Sequence, residues 1–310
     1  MPDIVISLFA LGILAGLARS DLQIPKGTYD TLSILLMLAI GLKGGMALHG
    51  NMSMSMVPEL AAVTALGFLI PLVLYPVLRR FVRLGVADSA SFAAHYGSVS
   101  AGTFAVAIAY ADQLGLPVAP QTTLYLVLLE MPAIIAGVLL YRRISGSAGT
   151  IGHLLREAFT SRGVVLLLGG VIIGMLYGQD GLEPISSLFI DLFKGFLALF
   201  LLEMGLCTAG YLRSWQSGQW RVVAFAALSP LALVWTGLLT GVALGLPAGS
   251  TLLLAVLTAS ASYIAAPAAI RAAIPDADTG KTMFASLGVT FPLNVVFGIP
   301  LYHALLQRIA

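Results

Sequence analysis

The chain is 310 residues long, 59% hydrophobic and only 10% charged, with a formal net charge of +2 and a mean hydropathy of +0.97. Soluble domains carry about 25% charged and about 45–50% apolar residues, so a water-soluble globular enzyme, a disordered chain and a nucleic-acid binder are excluded. A polytopic membrane protein remains, and the single cysteine, Cys207, excludes a disulfide framework or a multi-cysteine metal site.

A helix needs about 20 apolar residues to cross the hydrocarbon core. Stretches of this kind fall at residues 3–19, 31–49, 58–78, 88–111, 121–141, 163–178, 191–211, 221–246, 250–270 and 282–307. The expected fold is therefore all-α, with ten transmembrane helices and short connections. Met1-Pro2-Asp3 has no basic residue, so the first stretch reads as a span and not as a cleaved leader. Thirteen of the sixteen basic residues, from Arg19 and Lys26 to Arg271 and Lys281, fall in the odd-numbered connections. Basic residues gather on the cytoplasmic side, which places both termini outside a bacterial inner (plasma) membrane crossed many times.

Four short matches recur at nearly one offset. Asp21 to Pro25 resembles Asp180 to Pro184, and Gly41-Leu42 resembles Gly205-Leu206. Ser98-Val99-Ser100 resembles Ser260-Ala261-Ser262, and Pro132 resembles Pro292. A duplication of five spans follows: residues 1–145 form a first repeat, 146–162 a short cytoplasmic linker, and 163–310 a second repeat. An odd number of spans per repeat inverts one half relative to the other. This is the plan of secondary transporters, in which core and gate subdomains bind substrate near the midplane at interrupted helices.

The chemistry concentrates in the fourth and ninth spans. The fourth contains Gly97, Ser98, Ser100, Gly102 and Thr103; the ninth contains Ser260, Ser262 and Tyr263, followed by Pro267. Glycine weakens a helix and proline disrupts the turn before it, so both helices are expected to break. Half-helix N-termini would then point partial positive charge at one locus, which suits an anion. Ser100, Ser260 and Ser262 hydroxyls, unwound carbonyls and Glu130 suit a sodium ion. Small residues and hydroxyls also serve plain helix packing. Glu130, an acid inside the fifth span, needs a partner or an aqueous cavity; Lys43 and His95 are the available structural partners. Arg271 reads as a topology anchor or part of a gate, and Asn294 as a support for the site or an interhelical hydrogen bond. His153 reads as interfacial. His95 lies three residues before Ser98, but no supporting acid or metal motif accompanies it, so the chain is not expected to be an enzyme.

Gly41-Leu42-Lys43-Gly44-Gly45-Met46-Ala47, the Gly97–Thr103 tract, Glu130-Met131-Pro132-Ala133 and Ile270-Arg271-Ala272-Ala273-Ile274-Pro275 resemble, in this order, the sodium-dependent bicarbonate transporters of the SbtA type. The resemblance implies a 5+5 inverted repeat, a homotrimer, and uptake of bicarbonate with co-transported Na+, with no cofactor and no resident metal. The sequence departs from that family in having Glu130 for an Asp and Tyr263 for an acid. The family's long insert after the fifth span is reduced to Arg142–Arg162, so a PII-like regulatory partner is not carried over with the rest. The alternative is a proton- or sodium-coupled carrier of another small organic or inorganic anion.

Overall fold

A computed structural model describes residues 4–146, 156, 159–213 and 217–309. Among the described residues every regular element is helical and there is no strand. In chain order these are α1 (Ile4–Leu17), α2 (Lys26–Leu48), α3 (Val57–Val77), α4 (Val86–Gly97), α5 (Ala101–Gln113), α6 (Tyr125–Ser145), α7 (Arg162–Ser186), α8 (Phe193–Arg213), α9 (Trp220–Ala243), α10 (Ala248–Thr258), α11 (Ala265–Ala273) and α12, a composite helix over Thr279–Ile309. Most of the expected linker 146–162, with His153, lies outside the described residues.

Seven helical stretches among the described residues are long and apolar enough to cross a membrane. One of them, Arg162–Arg213, is 52 residues long and contains both α7 and α8. It turns at Gly178, whose φ of 62° and ψ of −166° are open to glycine at no steric cost. The helix then resumes, so Asp180 to Pro184 is helical, whereas its sequence counterpart Asp21 to Pro25 is a non-helical connection. The sequence match holds while the local structure differs: Asp180 to Pro184 follows Gly178, beyond which the helix resumes.

Large apolar side chains stand exposed in runs on α3 (Phe68, Leu69, Leu72, Val73), α7 (Ile172, Ile173, Leu176) and α9 (Leu228, Leu231, Leu239). Contiguous apolar surface of this kind is stable against lipid, not water. The stretch Val86–Gln113 is the opposite case: its most apolar window is 89% buried, so α4 and α5 form the interior around which the lipid-facing helices stand.

Two glycine seams hold this frame together. Helix α2 lies along α7, with Gly41 against Gly170 and Gly45 against Gly174; α1 lies along α8, with Gly12 against Gly205 and Gly16 against Ala209. A Cβ at Gly174 would come 2.9 Å from the Gly45 Cα and closer still to the Leu42 carbonyl. Small residues four apart permit this backbone approach in membranes. Gly174→Leu should therefore destabilise the protein by about 3 kcal/mol, read as a lowered thermal midpoint in detergent. Gly169→Ala, one turn away with nothing within 4 Å, should leave the midpoint unchanged or slightly raised.

Candidate functional site

Both expected helix breaks are present. Helix α4 ends at Gly97, Ser98 and Ser100 are extended, and α5 starts at Ala101. Helix α10 ends at Thr258, residues Ser260 to Ile264 are non-helical, and α11 starts at Ala265. The two breaks cross and are tied to each other. The Ser100 amide donates to the Ser260 hydroxyl at 2.9 Å, and the Ser262 amide donates to the His95 carbonyl at 2.8 Å.

Each break caps the half-helix that follows it. The Ser100 hydroxyl accepts from the Thr103 amide at 3.0 Å and from the Thr103 hydroxyl at 2.8 Å. The Ser262 hydroxyl accepts from the Ala266 amide at 3.2 Å. The first amides of a helix have no intrahelical acceptor. Here those helix starts, Ala101 and Ala265, line one small cavity together with Ser100, Ser262, Tyr263 and Glu130. Two positive helix ends thus meet at one point.

Glu130 sits on α6, buried with a relative exposure of 7%. It carries no ion pair or hydrogen bond among the described residues. The two structural partners that the sequence offered for it are engaged elsewhere. Lys43 pairs with Asp112 at 3.3 Å and lies over the Phe193 ring. The His95 Nδ1 is 2.7 Å from the Ser91 carbonyl, and its Nε2 has no partner. Glu130 instead lines a second cavity of about 450 Å³ that runs past Gly163 and Ile264 to Arg162 and Arg271. Arg162 is held by Asp30 at 2.8 Å; Arg271 forms no ion pair among the described residues. The small cavity adjoins this larger one through Glu130, Gly163, Ile264 and Ala265, which line both.

The remaining residues of the two tracts take other places. Gly97 packs on Pro71 and Ala133, where a Cβ does not fit. The Ser260 hydroxyl donates to the Leu257 carbonyl at 2.8 Å while accepting from Ser100, so it latches the crossing. Ser98 is buried and its hydroxyl has no hydrogen-bond partner. Tyr263 is also buried, its ring edge-on to Phe291 at 5.4 Å. Its hydroxyl is unpartnered and lies directly over Gly102, which leaves no room there for a Cβ. Met37 and Gly163 line the small cavity as well. Neither carries a polar side chain, so no motif in the sequence could have marked them.

Asn294 supports the site from behind. Its Nδ2 donates to the Ala259 carbonyl at 2.8 Å, and its Oδ1 accepts from the Tyr302 hydroxyl at 2.7 Å. It lies where α12 widens into π-helical turns on both sides of Phe291–Leu293, a distortion frequent at functional sites. Asn294→Leu leaves a buried carbonyl and a buried hydroxyl unpaired and should cost about 2 kcal/mol. Adding Tyr302→Phe should recover part of that loss in a double-mutant cycle of thermal stabilities.

Fold and site together define a multi-pass helical membrane protein whose interior is a crossing of two broken helices beside a buried acid. The family model described as the Na+-dependent bicarbonate transporter superfamily matches residues 4–307, and the chain belongs to that superfamily. A search of curated proteins gave no match.

Proposed function

We propose that this protein takes up bicarbonate together with sodium by alternating access. The observation that carries the reading is the meeting of the α5 and α11 starts, Ala101 and Ala265, at one cavity that also holds the Glu130 carboxylate. Two helix N-termini favour a small anion, yet an adjacent carboxylate without a counter-ion repels one. A sodium ion beside Glu130, with oxygen ligands drawn from Ser100, Ser262 and neighbouring carbonyls, resolves that conflict. It makes anion binding depend on the cation and couples uptake to the sodium gradient.

Ten spans in a 5+5 inverted repeat fit this reading. The fused Arg162–Arg213 stretch counts as two spans, and α1 and the α10–α11 pair supply the ones too short to be recognised by length. The seams support the repeat: the contact of α1 with α8 is the counterpart of the contact of α7 with α2, as Gly12 against Gly205 corresponds to Gly170 against Gly41. The larger cavity reaches the arginine-rich face at Arg162 and Arg271, and that face is the cytoplasmic one by the distribution of basic residues.

Radiolabelled bicarbonate uptake into proteoliposomes, with and without an inward sodium gradient, tests the proposal. Sodium-dependent accumulation is expected. Ser100→Ala combined with Ser262→Ala removes both caps, each worth about 1 kcal/mol, together with two candidate ligand oxygens, and should reduce uptake at least about tenfold. Unchanged uptake by that double variant means the crossing is not the binding site.

A further inference from the structure

On the outer surface between α3 and α9, remote from the crossing, lies a groove of about 520 Å³ walled by Val73, Val77, Phe81, Leu228, Leu233 and Thr236. Its wall is almost entirely apolar. At one end it runs into a second pocket of about 380 Å³, and Val82, Trp220 and Arg221 line both. This end pocket collects Arg83, Arg221 and Lys281.

The three cations are not equivalent. Lys281 is held by Asp88 at 3.2 Å and by Asp278 at 3.3 Å, so its charge is balanced within the chain. Arg83 and Arg221 form no ion pair among the described residues. Arg221 stacks its guanidinium over the Trp220 ring at 5.3 Å, which orients it but leaves its charge uncompensated. Arg83 stands in the left-handed region at φ 65°, at the end of the π-helical turn that closes α3. A non-glycine residue in that conformation is uncommon, and here it fixes where the arginine leaves the chain.

An apolar channel that ends in two unbalanced guanidinium groups beside an interfacial tryptophan matches an amphiphile with an anionic head. Arginine presents a planar fork to phosphate, tryptophan prefers the headgroup level, and basic pockets between helices recognise anionic lipid heads. A second copy of the chain would have to bring an acidic side chain to the same place. We propose that this groove and its end pocket hold one anionic phospholipid per protomer, with an acyl chain along α3 and α9 and its phosphate between Arg83 and Arg221.

Native mass spectrometry of the detergent-purified protein, titrated with phosphatidylglycerol or with phosphatidylcholine of the same acyl chains, tests this. The wild type should retain one phosphatidylglycerol with about tenfold preference over phosphatidylcholine, as expected for two arginines near a lipid phosphate. Arg83→Gln with Arg221→Gln should bring the two lipids to parity, and Arg221→Gln alone should lose part of the preference if the double variant does not fold. Ala232→Trp, which fills the groove, should reduce retention of both lipids. Equal retention by the wild type, or an unchanged preference in the charge variants, overturns the proposal. Displacement of the lipid by millimolar glycerol phosphate would assign the pocket to a free phosphate and also overturn it. So would loss of oligomer mass in Ala232→Trp with lipid retention intact, because the groove would then be a subunit contact.

Discussion

Glu130→Gln should abolish sodium-driven bicarbonate accumulation while leaving the protein folded. The substitution keeps the shape of the side chain and removes its charge. In the structure that side chain is buried on α6, faces two cavities and has no cationic partner among the described residues. A glutamine offers a bound sodium ion one neutral oxygen in place of a carboxylate. Removing one partner of a buried charge pair costs about 3–5 kcal/mol, so the apparent sodium affinity should fall by at least about a hundredfold. Two measurements decide the matter: uptake against sodium concentration, and uptake driven by a pH gradient without sodium. Normal sodium-driven uptake by the variant would remove Glu130 from the coupling site. A wild-type protein that accumulates bicarbonate on a pH gradient alone, with a variant that does not, would make Glu130 a proton carrier.

The second large effect is expected at Gly102. Its α-carbon sits beneath the Tyr263 hydroxyl and 2.8 Å separates a built Cβ from the Phe200 ring. Phe200 in turn is stacked on Tyr29 at 5.9 Å, so it has little freedom to withdraw. Gly102→Val must therefore displace Tyr263 toward Ser100 and Ser262, into a cavity with room for about one water molecule. Overpacking of this kind costs about 1–3 kcal/mol, which, borne by the binding-competent state, corresponds to about fivefold to about 150-fold in apparent affinity for bicarbonate. Tyr263→Phe, which removes only the unpartnered hydroxyl, separates the two roles of that residue. If the hydroxyl meets the anion, the phenylalanine variant binds bicarbonate more weakly; if Tyr263 is a wall, the variant transports normally while Gly102→Val still fails.

The helix breaks were legible because glycine, serine and proline act on the backbone locally, and the four non-helical residues Ser98, Ser100, Ser260 and Ser262 fall inside the tracts that the composition marked. The meeting of the two breaks was legible only through the matching positions of the two serine tracts in the sequence, since nothing in either tract names the other. What the sequence could not show was the division of labour within the tracts. Ser100 and Ser262 face the cavity while Ser260 latches the crossing and Gly97 serves close packing on Pro71. These residues differ in environment and not in chemistry, so spacing alone does not sort them. The partner of Lys43 was hidden for a related reason. Asp112 reaches it only because α5 restarts after the break and carries its last turn back to α2. Gly178 was equally unmarked: one glycine among thirty-three, set apart by a positive φ inside a helical stretch that a sequence does not display.

The two glycine seams also have a mechanical meaning. Where side chains separate helices, a joint can slide or rotate by exchanging rotamers. Along Gly41, Gly45, Gly170 and Gly174, and again along Gly12 and Gly205, backbone rests on backbone, and no rotamer remains to exchange. Each seam therefore behaves as a weld, and the two seams join four helices into two stiff struts. Any displacement of the crossing relative to this frame is then confined to the surfaces where larger side chains intervene, such as the Tyr29–Phe200 stack and the Met37 contact beside Glu130. Under the proposed alternating access those surfaces would be the sliding planes, and paired cysteines placed across them, not across the seams, are the crosslinks expected to arrest uptake.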